Sequence, residues 1–302
     1  MPHGGLLVDR RLDAGEAADL AASRLPSLPL TAEQAADLRA LATGAFSPLT
    51  GFMGAGEHRS VIESMRLPDG TLWPLPVCLA IPDAVRLEWD GLLLRDQRGG
   101  LLGVLEVREV FRRDRQAEAE LVYGTTDPAH PGVAAVLGAP SRAVAGPVRA
   151  VVAPLPGPLG GRVLTPLQTR AAFQARGWRS VVGYQPGDRV RRSDRRLLRR
   201  ALATVDGLLL QPLVGPAGEG AAAEACLRAG EAVLGSLPPQ RVLPAALMAP
   251  TRHAGAREAL LHALVGKNHG CTHMIVGGHD RALLASLPAE ELGVGLITRR
   301  PV

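Results

Sequence analysis

The sequence predicts an α/β protein in two parts, a β-rich N-terminal domain followed by a domain built on a parallel sheet. Three observations carry this reading. Short Val/Leu runs punctuated by Gly, Pro and Asp fill residues 74–152, apolar runs alternate with helical patterns from residue 166 onward, and a nearly uncharged Pro/Gly segment, APLPGPLGGRVLTP at 153–166, separates the two textures. The 302 residues, 46% hydrophobic and 21% charged, suffice for one large or two ordinary cores and exclude a disordered chain. With three Trp, two Tyr and four Phe, those cores must be aliphatic. The domains expected are 1–158 and 159–302.

Taken in order, residues 14–43 hold two short helical patterns, AGEAADLAASRL and TAEQAADLRALATG. In the second, Thr31 is placed to cap the helix, Gln34 stands at the third helical position, and Gly44 sits where a C-terminal capping glycine belongs. The runs PLPVCLAI, GLLLRD, LLGVLEVREVF and SRAVAGPVRAVV read as strands of a compact, mostly β domain. Beyond the Pro/Gly segment come a helix (PLQTRAAFQARG), a buried run (WRSVVGYQ), an arginine-rich helix (SDRRLLRRALATV) and a second buried run (GLLLQPLVG). A helix (AREALLHALVGKNHG) and two apolar runs (THMIVGG and LGVGLI) complete the chain. Strands alternating with helices of this length favour βαβ units. In the arginine-rich helix, Leu197, Leu198, Ala201 and Leu202 form the expected core face, and Arg192, Arg195, Arg196, Arg199 and Arg200 the solvated one.

Several function classes are excluded. The formal net charge is +5, with Lys267 the single lysine among 34 basic residues, but no basic stripe carries interleaved aromatics, which argues against nucleic-acid binding. No apolar run approaches the roughly 18 residues of a membrane span, and the N-terminus MPHGGLLVDRRLDAGEAADL has no signal-peptide h-region, so a cytoplasmic protein is expected. Cys78, Cys226 and Cys271 are scattered and form no CxxC, which argues against a disulfide framework or a zinc knuckle. His262, His269, His273 and Cys271 match no standard metal spacing and read as packing residues. His279 and Asp280 differ, because their loop follows the THMIVG run, at the carboxyl edge where open α/β sheets bind ligands. Ser47 lacks a GxSxG context and is not read as a nucleophile.

One set of segments is more specific. HGGLLVDR at 3–10, GAFSPLTGFM at 44–53, MRLPDGTLWPLPVCL at 65–79 and YGTTDPAHPGV at 123–133 are followed by RAAFQARGWRSVV at 170–182, VDGLLLQPLVG at 205–215 and REALLHALVGKNHGCTHMIVG at 257–277. In content and order they resemble the ATP sulfurylases (sulfate adenylyltransferases) over nearly the whole chain. The resemblance implies a PUA-like N-terminal domain and a Rossmann-like nucleotidyltransferase domain. It also implies a reaction in which ATP, with Mg, and sulfate give adenosine 5′-phosphosulfate and pyrophosphate without a covalent intermediate. The expected ligands are an adenine nucleotide and a sulfate-like oxyanion, and the expected partner is a second copy or an active sulfurylase subunit. Family members carry a further C-terminal segment, which a chain ending at Val302 is expected to lack.

The family's QTRNPxHxxH motif, whose Gln and Arg engage sulfate, falls on Gln185-Pro186-Gly187-Asp188-Arg189-Val190-Arg191-Arg192-Ser193-Asp194. Only the glutamine is retained. Gly187 stands in place of the sulfate-pairing arginine, Asp188 turns an amide donor into an acceptor, and Arg191 and Asp194 occupy the two histidine positions. The GRDHAG-like loop becomes Gly277-Gly278-His279-Asp280-Arg281-Ala282, while the MRYAGPREA region keeps Arg252 and Arg257. The remnant catalytic set is therefore Gln185, Asp188, Arg191 and Asp194, and the candidate anion-binding set is Gln185, Arg191, Arg252, Arg257, Gly277, His279 and Asp280. Removing one preorganised donor typically costs about 10²–10³ in rate. The expectation is a sulfurylase-like protein that is inactive or regulatory. The alternatives are a divergent nucleotidyltransferase acting on another oxyanion and a working sulfate adenylyltransferase.

Overall fold

The computed structural model describes residues 1–87, 90–153, 159–186, 194–215, 225, 228–232, 235, 237–277 and 281–298. The N-terminal half runs α1 (Ala14–Ala22), β1 (Ser27–Pro29), α2 (Ala32–Thr43), β2 (Gly51–Phe52), α3 (Ala55–Ser64), β3 (Leu79–Ala80), β4 (Gly91–Arg95), β5 (Leu101–Glu106), β6 (Glu109–Arg112), α4 (Arg115–Tyr123), α5 (Pro131–Gly138) and β7 (Arg142–Ala150). Both opening helices start with reciprocal caps. The side chains of Asp13 and Thr31 accept from the backbone N–H of Glu16 and Gln34, whose own side chains accept from the capping residue's N–H. Helix α2 ends on Gly44 at φ 82°, a left-handed conformation that favours glycine.

Strand β7 organises a seven-stranded sheet of order β1-β4-β5-β7-β2, with β3 and β6 also paired to β7. All these pairings are antiparallel except β1 with β4. The region expected to be mostly strand also contains α4 and α5. Their end signals are local: Asp114 accepts from Ala117 N–H at 3.0 Å, Gly124 closes α4 at φ 69°, and Pro131 starts α5. Glu118 of α4, 4% exposed, accepts from Arg113 and pairs with His58 at 2.9 Å, anchoring the helix against α3. The GAFSPLTGFM segment is structural. Ser47 is buried, donating to Gly44 O at 2.8 Å and accepting from Val8 N–H at 2.9 Å, while Phe46 meets Trp73 edge-on at 5.8 Å.

The second half runs α6 (Pro166–Ala175), β8 (Val181–Tyr184), α7 (Asp194–Leu202), β9 (Gly207–Leu210), β10 (Leu213–Val214), β11 (Val242–Pro244), β12 (Leu247–Met248), α8 (Gly255–Asn268), β13 (His273–Val276), α9 (Arg281–Ser286), α10 (Ala289–Leu292) and β14 (Gly295–Thr298). Five strands form a wholly parallel sheet of order β11-β9-β8-β13-β14, and β10 pairs with β12 beside it. Alternate strand residues face opposite ways. Val182, Tyr184, Leu208, Leu210, Val242 and Ile275 pack on Leu198, Ala201 and Leu202 of α7, as expected for that helix's core face. Val181, Leu209, Leu243, Met274 and Val276 face α8, in a core that continues into the N-terminal half. Arg196, Arg199 and Arg200 are exposed on α7, and Arg195 is half-buried. The expected division at 158/159 adjoins residues 154–158, outside the described residues, as are Arg192 and Cys226. Among the described residues no helix is long and apolar enough to cross a membrane.

Polar side chains stitch the two halves together. Asn268, fully buried at the end of α8, accepts from His3 N–H at 2.8 Å and donates to Ala45 O and Ser47 O at 3.0 Å each. Arg257, near the start of α8, donates to Val61 O and Ile62 O at the end of α3 (3.3 and 3.1 Å), where the helix dipole favours a cation, and to Pro74 O at 3.4 Å. Arg252 pairs with Asp37 of α2 at 2.5 Å.

Asn268→Ala should strand one buried N–H and two carbonyls, lowering the unfolding free energy by about 2–4 kcal/mol, read from the urea midpoint. Asn268→Asp should rescue little, because a carboxylate keeps the acceptor and loses both donors. Arg252→Ala alone should cost about 3–5 kcal/mol by leaving Asp37 buried without its cation, and adding Asp37→Ala should recover a substantial part of that loss in the same measurement.

Candidate functional site

In the parallel sheet β8 lies at the centre, with β9 and then β11 added on one side and β13 and β14 on the other. The strand order therefore reverses between β8 and β13, and in open α/β sheets the crevice at the carboxyl ends there is the ligand site. Gln185 follows β8 directly, Gly277 follows β13, and Gln211 follows β9. The backbone holds these ends in register past the strands. Gln211 N–H donates to Tyr184 O at 2.9 Å, Leu213 N–H to Pro186 O at 3.0 Å and Leu247 N–H to Pro212 O at 3.0 Å. The prolines after both glutamines lack a donor but still serve the ladder as acceptors.

From this edge a chain of polar side chains runs into the interior. His262 Nδ1 on α8 is 3.2 Å from Gln185 Oε1, and Gln185 Nε2 is 2.8 Å from Gln211 Oε1. Gln211 Nε2 lies 3.5 Å from both ring nitrogens of His269, whose Nδ1 is 3.2 Å from Thr169 Oγ1 on α6. Thr169 Oγ1 in turn reaches His269 O at 2.8 Å and Pro166 O at 3.0 Å. Gln211 and Thr169 are fully buried and His269 is 1% exposed. Burial, with Arg170 nearby, pulls the His269 imidazole down to about 3, so it is neutral at pH 7. At the outer end Glu258 Oε1 is 3.9 Å from His262 Nε2 and accepts from Arg252 N–H at 2.7 Å, while its Oε2 accepts from Ala254 N–H at 3.1 Å. Burial alone would raise the Glu258 carboxyl, but His262 and those two N–H groups together hold it below the ordinary range.

The structure places the sequence candidates unevenly. Gln185 is half-buried at the crevice, and Gly277 flanks it from β13. Asp194 opens α7 but is 2% exposed and accepts from the Tyr184 hydroxyl at 2.8 Å, on the α7 side of the sheet. Its carboxylate is thus turned into the fold. Arg252 and Arg257, expected among the anion ligands, hold Asp37 and the carbonyls of α3 and Pro74 instead, because both sit where the two halves meet and buried polar groups need partners there. Asp188, Arg191, His279 and Asp280 lie outside the described residues.

His262 and Gln211 were not singled out from the sequence as site residues. The signal for Gln211 is a polar residue at the end of the buried run GLLL; that for His262 is its place on the sheet-facing side of a helix, which the sequence alone does not display. Burial pushes the Cys271 thiol up to about 12, as suits a packing residue. His273 Nδ1 is engaged locally with Thr272 Oγ1 at 2.9 Å.

Comparison with known proteins fits this architecture. Residues 1–153 match the model of a PUA-like domain and residues 161–286 that of ATP-sulfurylase. A sulfate adenylyltransferase of Symbiobacterium thermophilum is 48% identical over 284 residues, covering 91% of this chain and 72% of that protein. One from Deinococcus deserti is 43% identical over 279 residues with the same coverage. Among solved structures, a hexameric APS kinase from Thiobacillus denitrificans superposes with a TM-score of 0.80 at 31% identity over 99% of this chain, which spans 56% of that longer one. With an N-terminal PUA-like domain, a parallel-sheet second domain and relatives this similar over most of their length, the chain belongs to the ATP sulfurylase family.

Proposed function

We propose that this chain is a remodelled ATP sulfurylase that does not carry out ordinary sulfate adenylation and acts as a non-catalytic or regulatory member of the family. One observation supports this reading above the rest. The position where the family holds sulfate with an arginine is Gly187, and Arg252 and Arg257, the other arginines read as anion ligands, are already committed to Asp37 and to backbone carbonyls. A divalent anion needs charge-assisted donors, and a bidentate guanidinium is the strong form of these. What the described edge offers instead is the neutral amide of Gln185. On this reading the crevice binds an adenine nucleotide with Mg, as in the family, and the protein works in the cytoplasm. It assembles with copies of itself or with an active sulfurylase, in keeping with the hexameric structure it resembles.

Arg189, Arg191 and Arg192 follow Gln185 closely in sequence and favour a second reading, a nucleotidyltransferase acting on another oxyanion. Pyrophosphate release from ATP, measured with no addition, with sulfate and with molybdate, separates the readings. The expected sulfate-dependent rate is at least about 10²-fold below that of the Symbiobacterium thermophilum relative assayed alongside, while calorimetric titration shows ATP binding. Sulfate-dependent release at the relative's rate, abolished by Gln185→Ala, would refute the proposal. Release stimulated only by another oxyanion would establish the second reading.

A further inference from the structure

The polar chain beneath Gln185 has a direction that its own chemistry dictates. It can be read from the buried end, where the choices are forced. Thr169 has one hydroxyl hydrogen, and its nearest polar neighbours, His269 O at 2.8 Å and Pro166 O at 3.0 Å, are carbonyls that only accept. The hydroxyl therefore donates to a carbonyl, and the His269 Nδ1 at 3.2 Å must be the N–H that donates to Thr169 Oγ1. A neutral imidazole protonated on Nδ1 carries its lone pair on Nε2. Gln211 approaches this ring at 3.5 Å from both nitrogens, so its amide lies against either the lone pair or the electron-rich ring face. Both demand an N–H rather than a carbonyl oxygen. Gln211 thus presents Nε2 to His269 and Oε1 to Gln185, which must answer with its own Nε2 at 2.8 Å. Gln185 Oε1 then faces His262 Nδ1 at 3.2 Å, and this contact is a hydrogen bond only if Nδ1 carries the proton.

We infer that His262 is a positioning residue which, with the Gln211–His269–Thr169 chain behind it, fixes the Gln185 amide as a hydrogen-bond donor toward an acceptor-rich ligand, an oxyanion or a phosphoryl oxygen, at the carboxyl edge of β8. The chain behind it opposes a flip of this amide. Turning it over would set Gln185 Oε1 against Gln211 Oε1, a repulsive contact beside a buried side chain, and would cost the His262 hydrogen bond unless the imidazole moved its proton to Nε2. With its oxygen held by His262 and one Nε2 hydrogen taken by Gln211, Gln185 keeps one N–H for a ligand. A rotating glutamine could serve donors and acceptors alike; this one is set for acceptors. Glu258 Oε1, held by the N–H groups of Arg252 and Ala254, lies 3.9 Å from His262 Nε2, so a proton on that nitrogen as well would leave the Nδ1–H contact with Gln185 intact. The inference deepens the reading that the crevice binds an oxyanion or nucleotide, and it rests on that reading for its ligand class.

The test uses the full chain labelled with ¹⁵N-histidine. In the ligand-free protein at pH 7.5, the nitrogen shifts should report the proton on Nδ1 for both His262 and His269. In Gln185→Leu, which has no acceptor, His262 should lose that preference while His269 keeps it. A His262 whose Nδ1 carries no proton in the unmodified protein overturns the inference. Calorimetric titration with ATP and with sodium sulfate supplies the second readout. His262→Ala should weaken binding of whichever probe the protein takes by about tenfold. His262→Asn, whose Nδ2 stands where Nδ1 did, should restore it to within about threefold, a rescue that loss of packing alone would not produce. Equal affinity in His262→Ala and the unmodified protein, with both folded by thermal melting, likewise overturns it. If the unmodified protein takes up neither probe, the nucleotide and oxyanion reading of the preceding subsection fails, and the tautomers alone decide the role of His262.

Discussion

A helix with neighbours on most sides cannot leave its polar groups to water, and α8 meets that constraint in a way that sets much else. Leu260, Leu261, Ala263, Leu264 and Val265 are buried in a core shared by both halves of the chain. Each polar side chain on the helix therefore needs a protein partner. Arg257 closes the end of α3, Asn268 holds the HGG segment and the GAFSPLTGFM loop, Glu258 gathers the N–H groups of the preceding loop, and His262 reaches Gln185. The same helix thus fastens the N-terminal domain and orients the crevice, so the packing of one half and the geometry of the site in the other are not independent.

This sharing separates stability from chemistry among the arginines. Arg252 and Arg257, candidates for anion binding from the sequence, are engaged with protein partners in this fold. Their positive charge is neutralised by Asp37 or aimed at carbonyl oxygens, and an anion in the crevice would have to compete with those partners. Arg170 behaves likewise, donating to Asn268 O and Lys267 O at the end of α8 at 2.7 Å each. The arginines of α7 lie on the other face of the sheet, with Arg196, Arg199 and Arg200 exposed. Counting cations along the sequence therefore overstates what is available to a sulfate ion.

Much of the fold was legible because its signals are local. The capping residues of α2, the alternation of apolar runs with helices after residue 166, and the core face of α7 depend on spacing of three or four residues or on strict alternation, and all are where the periodicity placed them. Helices α4 and α5 were obscured because they are short and lie among strands, although Asp114, Gly124 and Pro131 mark their ends. Strands β11 and β12 were obscured for a related reason, since runs of three and two residues have no period to read.

The sequence by itself determined the family and the two-part architecture, because each rests on residue identity and order. Only the tertiary structure decided which candidate residues are tied to protein partners. Gln185 meets His262, 77 positions away, and Gln211 meets His269, 58 positions away, through contacts that no local pattern encodes. Whether a charged side chain is free for a ligand depends on what lies within hydrogen-bond reach once the chain has folded, a distance that the residue type does not reveal.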